Sequence, residues 1–198
     1  MSRERDDEAA VAGIRSSLRA AAENLEATHA PDEALARFVP ARRALLVMRK
    51  PAALIPLGRV WRLGVFLLGV PPVGAGQPGV SPAESAPTGF DVTLYATGKT
   101  TRAVDPLYRG FQSVSAETRR DYRGAAFRGP FERGETIDFD APALELDADS
   151  LRSSSGPLLL RDGEAQVRWA ATIGTATVPF DAYLAERVDL LVHPPPGA

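Results

Sequence analysis

The stretch that most suggests ligand chemistry is residues 93–100, TLYATGKT, which holds Lys99, one of only two lysines in the 198-residue chain. Gly-Lys-Thr closes a phosphate-binding loop, in which backbone N–H groups and the lysine cradle a phosphate. That loop needs a glycine where Thr93 stands and a helix after the Lys-Thr pair, and Asp105-Pro106 forbids a long helix. The stretch therefore reads as a tight turn at Gly98-Lys99, with residues 101–104 returning as a short strand. Lys99 and Arg102, with Arg62 from an earlier stretch, remain candidates for holding an anion.

Carboxylates recur at Asp138, Asp140, Glu145, Asp147 and Asp149, a row with the oxygen chemistry a hard metal ion prefers. Their alternation with Ile137, Phe139, Leu144 and Leu146 fits a solvated strand face better, so no metal site and no cofactor is expected. The two histidines, His29 and His193, lie near opposite ends of the chain and form no His-x-x-x-His pair. No Gly-x-Ser-x-Gly elbow accompanies them, so a Ser-His-Asp triad has no support. The absence of cysteine removes thiolate nucleophiles, disulfides and sulfur-ligated zinc together, and fits a reducing compartment. No catalytic residue can be named.

Net charge is −2, so no global field recruits nucleic acid or a membrane. Twenty-one of the 23 basic residues are arginine, a bias of base composition as much as of phosphate binding. Charge is uneven: residues 31–62 hold seven basic against two acidic groups, and residues 134–198 four against eleven. The N-terminus, MSRERDDEAA, has no apolar core, so the expectation is a cytoplasmic protein without a signal peptide. The apolar run 63–73 is too short to span a bilayer.

The elements that must carry these residues alternate in type. Residues 3–28 read as a helix, with Val11, Ile14, Leu18, Ala21 and Leu25 on one narrow stripe. Two heptads are too few to argue a coiled coil, so packing within the domain is favoured. A homodimer, or a partner protein docked on this helix, is the alternative. Pro31 starts a second, short helix over 31–39. Residues 41–50 are ambiguous. Residues 60–68 (VWRLGVFLL) and 91–97 (DVTLYAT) read as an antiparallel strand pair filled by Trp61 and Tyr95. They are joined by a Gly/Pro-rich flexible loop over 70–89. Residues 115–128 form a helix capped by Ser115, with Tyr122 and Ala126 inward. A capped turn follows at 147–155. Asp162-Gly163 marks a hairpin in which Leu158 and Leu160 face Val167 and Trp169. Residues 180–192 form a last amphipathic helix.

The runs LIPLGRVWRLGVFLL, LYATGKTTRAV, FERGETIDFDAPALELD, SGPLLLRDGEAQVRW and AYLAERVDLLVHPP resemble a small actinobacterial protein family of unassigned mechanism, whose members are sometimes labelled glutaminase. The resemblance covers roughly residues 51–198 and implies an amidohydrolase. Serine glutaminases use Ser-x-x-Lys, yet Val47 and Ala96 stand three residues before Lys50 and Lys99. Amidotransferase glutaminases need the cysteine this chain lacks.

The expectation is an α+β fold: a small, mostly antiparallel sheet flanked by two helices, with an N-terminal helical arm over 1–39 and the α+β domain over 40–198. The leading functional reading is a non-enzymatic cytoplasmic accessory or binding protein. The alternative is a glutaminase-like amidohydrolase. Nucleic acid has no helix-turn-helix, aromatic platform or basic charge to bind.

Overall fold

The computed structural model describes residues 2–44, 48–70, 92–106, 114–169, 176–195 and 197. The loop expected over 70–89 lies outside them from residue 71 on. In chain order the elements are α1 (Ser2–Ala27), β1 (Glu33–Val39), β2 (Arg42–Ala44), β3 (Met48–Lys50), β4 (Ala53–Leu63) and β5 (Phe66–Gly69). Next come β6 (Leu94–Ala96), β7 (Lys99–Arg102), α2 (Val114–Arg128), β8 (Thr136–Phe139) and α3 (Ala148–Arg152). The chain closes with β9 (Leu158–Arg161), β10 (Glu164–Val167), β11 (Val178–Pro179) and α4 (Phe180–Val192). The fold is α+β, and no described helix is long and apolar enough to cross a membrane.

The chain gathers into two compact units, one of Met1–Pro31, Trp61–Ala96 and Ala143–Ala198, the other of Asp32–Val60 and Thr97–Pro142. In the first unit the stripe Val11, Ile14, Leu18, Ala21 and Leu25 of α1 is buried against Phe66, Leu68, Leu158, Phe180 and Leu184. The apolar face that could have served a coiled coil is thus spent inside its own unit. The helix ends in a Schellman motif: Ala30 N–H bonds Leu25 O, His29 N–H bonds Glu26 O, and His29 takes φ 51° at the left-handed position. Trp61 Nε1 then donates to Ala30 O at 3.3 Å.

β9 and β10 pair antiparallel around Asp162-Gly163, whose φ angles of 52° and 79° make the primed turn the sequence calls for. Leu158 faces Val167 as expected, but Leu160 faces Ala165, and Trp169 lies beyond the strand, 58% exposed. α4 matches its expected span, with Phe180, Leu184 and Val188 buried. Ser17 of α1 donates to Asp181 of α4 at 2.7 Å.

Residues 60–68 are a hairpin rather than one strand. Gly64, at φ +67°, turns β4 into β5. A Cβ there would lie 2.1 Å from the Tyr183 hydroxyl, which accepts the Val65 N–H at 2.9 Å. The expected antiparallel pair is therefore β5 with β6, Leu67 opposite Tyr95, and Trp61 belongs to β4.

In the second unit β1 is an inner strand, antiparallel to β4 and parallel to β8, which in turn pairs antiparallel with β7. The helix expected over 31–39 is thus corrected to a strand. Its alanines and leucine favour a helix locally, but ladders on both sides outweigh a propensity of a few tenths of a kcal/mol per residue, about 0.2–0.7. Ala34, Ala36, Leu54, Ile137 and Phe139 form a core with Ala125 and Ala126 of α2, which spans the expected helix, with Tyr122 packed at its edge. Within the ambiguous residues 41–50, β2 and β3 pair antiparallel, Arg42 opposite Lys50 and Ala44 opposite Met48. Residues 93–104 are not a hairpin: β6 pairs with β5 and β7 with β8. Gly98 is needed there for close approach, since a Cβ would meet Phe139 O at 2.5 Å and Asp140 O at 2.4 Å.

Candidate functional site

Of the expected anion-binding residues, Lys99 and Arg102 lie on β7 in the second unit, and Arg62 on β4 in the first. A spacing of three puts Lys99 and Arg102 on opposite faces of their strand. Lys99 Nζ is 2.8 Å from Asp140 Oδ2 and 5.6 Å from the centre of the Tyr122 ring. The hydrogen bond to Asp140, helped by Tyr122, raises its pKa above the ordinary lysine value. Its charge is matched within the unit.

The carboxylate row is divided among separate tasks. Asp140 holds Lys99. Glu145 accepts the Ser150 hydroxyl, and Asp149 pairs with Arg152. Asp147 caps α3, accepting the Ser150 N–H at 2.9 Å, and that bond holds its carboxyl below the usual range. Asp138 departs from the expected solvated face: it is 1% exposed, because β8 is an inner strand covered on both faces. Thr100, its partner across the ladder, donates its hydroxyl to Asp138 Oδ1 at 2.9 Å. Among the described residues no cluster of three or more potential metal ligands occurs.

A different constellation forms in the first unit, around the opening turns of α1. Glu4, Glu8, Val11, Ala12 and Arg15 share one helical face and wall a cleft of about 540 Å³. Leu146, Asp147, Ala148, Asp149 and Arg152 form the opposite wall. Arg15 donates to Leu146 O at 2.7 Å, which fixes the extended segment against the helix. The lining thus offers four carboxylates and two guanidiniums around a short apolar floor.

Arg152 also borders an adjoining cleft of about 400 Å³, lined by Asp7, Leu160, Arg161 and Asp162 as well. The β9–β10 turn reaches α1 here, a Cβ on Gly163 falling 3.3 Å from Asp6 Cβ. Asp7 is 2% exposed. Its Oδ2 accepts no hydrogen bond, and Arg152 Nη1, the ionic partner, stands at 3.4 Å. Arg152 is also bound by Asp149 and by Ala148 O.

Sequence reading placed none of this. The acids of α1 fit the positive end of a helix dipole, and the acids of 145–149 fit a wet strand face. Only the fold brings them onto facing walls. Comparison with known proteins finds no matching family, no matching curated protein and no matching solved structure.

Proposed function

We propose that the protein is a non-enzymatic cytoplasmic binding protein that holds a small charged molecule in the cleft between α1 and α3. The observation that carries this reading is the cleft itself. Its volume of about 540 Å³ falls among small-molecule sites, roughly 300–1,000 Å³, and charged groups of both signs converge on it. Arg15 and Arg152 are each braced by a backbone carbonyl, so the walls are set before a ligand arrives.

The test is thermal denaturation of the full chain beside a panel of small amines, carboxylates and amino acids. A ligand at a hundred times its Kd adds about 2.7 kcal/mol to stability, which raises the midpoint clearly. The rise is expected to shrink in Glu8→Gln, because Glu8 lines the cleft and holds no other described residue. No midpoint shift with any compound, or a shift indifferent to Glu8→Gln, would refute the reading.

One observation favours a second reading, an amidohydrolase of the kind the resemblance to glutaminase-labelled actinobacterial proteins implies. Thr100 is an exposed residue whose hydroxyl is held by a buried carboxylate; Asp138 would take that proton as Thr100 attacks the amide carbon and pass it to the departing ammonia as the C–N bond breaks, water then releasing the acyl group from Thr100. Ammonia released from glutamine by the purified chain, and lost in Thr100→Val, would establish it. Activity equal in both proteins would assign it to a contaminant.

A further inference from the structure

We infer that the cleft over Asp7 seats a free α-amino acid, its ammonium on Asp7 and its carboxylate on Arg161. The inference concerns the adjoining cleft, which shares only Arg152 with the α1–α3 cleft of the binding reading above, and it stands on its own observations.

Two groups of opposite charge, neither with a hydrogen-bonding partner among the described residues, border the same space. Asp7 Oδ2 is buried without a hydrogen bond, and its 3.4 Å contact with Arg152 Nη1 is an ion pair only. A buried carboxylate oxygen left without a donor is costly, and an ammonium entering the cleft supplies one. Arg161 ends β9 on the opposing wall and makes no hydrogen bond or ion pair with a described residue. Its planar fork suits a carboxylate held by two N–H groups.

Ligands of a single charge fit less well. An amine would satisfy Asp7 and leave Arg161 without an anion. A simple carboxylate would satisfy Arg161 and bring a second negative charge beside Asp7. The lining balances two carboxylates with two guanidiniums, which is the charge pattern of a zwitterion. Leu160 gives the lining one apolar side chain, so a small apolar substituent on the amino acid is accommodated there. A volume of about 400 Å³ holds such a molecule with water to spare.

Calorimetric titration of the full chain with alanine, ethylamine and propionate separates the possibilities. Alanine is expected to bind, with ethylamine and propionate each weaker by about tenfold or more, the equivalent of losing one charged contact. Asp7→Asn and Arg161→Ala should each weaken alanine by about tenfold or more. Arg161 is on an exposed strand end, so its variant keeps the fold if Asp7→Asn does not. Ethylamine binding as tightly as alanine, or alanine binding unchanged in Arg161→Ala, would overturn the inference. If alanine fails to bind while other compounds raise the midpoint through Glu8, the zwitterion assignment falls and the binding reading stands. If no compound acts in either experiment, both fall.

Discussion

Arg152 Nη1 stands 3.4 Å from Asp7 Oδ2, linking the short helix α3 to the second turn of α1 around a carboxylate that is almost wholly buried. Removing the cation alone leaves that charge buried without its counterion. Arg152→Met is therefore expected to lower stability by about 2 kcal/mol. That is less than the roughly 3–5 kcal/mol for a fully buried pair, because the guanidinium is partly solvated. Adding Asp7→Asn should restore most of the loss. Urea denaturation of the two variants and the double variant checks this, and additive losses would contradict it.

The cap of α3 makes stability depend on acid. Asp147 has a depressed pKa because the Ser150 N–H donates to its carboxylate. The unfolded chain therefore takes up this proton at higher pH than the folded one. The stabilisation is complete above the ordinary carboxylate range and is lost as pH falls through the folded pKa. Asp147→Ala should lower the urea midpoint at about pH 7, and the loss should shrink as pH falls below the ordinary aspartate value, about 3.9. A loss that stays the same as pH falls through the acid range would mean that the charge has no part in the cap.

His29 occupies the left-handed position at the end of α1, where a side chain costs about 1–2 kcal/mol relative to glycine. His29→Gly is expected to raise stability by about 1 kcal/mol, since the Schellman bonds from residues 29 and 30 use backbone atoms only. A loss of stability would show that the imidazole contributes more than its conformation costs.

Gly64 stands at a turn with no room for a side chain. Gly64→Ala combines a positive φ with a Cβ 2.1 Å from the Tyr183 hydroxyl, and so breaks the bond from Val65 N–H. A loss of about 2–4 kcal/mol is expected from the strain and the displaced tyrosine together. Tyr183→Phe should relieve the clash in the double variant, which then unfolds at a higher urea concentration than Gly64→Ala alone.

Much of the fold is legible wherever one local rule acts alone. The stripe of α1, the Asp162-Gly163 turn and the span of α4 follow from periodicity and turn chemistry, which need no distant partner. The failures lie where distant pairing decides. Residues 33–39 have helical composition and become an inner strand because β4 and β8 flank them. Asp138 alternates as a wet residue would and is buried for the same reason. Gly64 divides what looks like one apolar strand, and only its contact with Tyr183, far along the chain, shows why glycine stands there. The α1–α3 cleft joins residues more than a hundred positions apart, each with an adequate local explanation, so nothing in the sequence singles it out.

The most direct test of the binding account is a two-dimensional amide NMR titration of the full chain with alanine, followed by glutamine. The account predicts shifts confined to the opening turns of α1, to residues 146–152 and to the β9–β10 turn, with glutamine remaining intact. Shifts centred on Thr100 and Asp138, accompanied by conversion of glutamine to glutamate and ammonia, would contradict it and place the protein among the amidohydrolases.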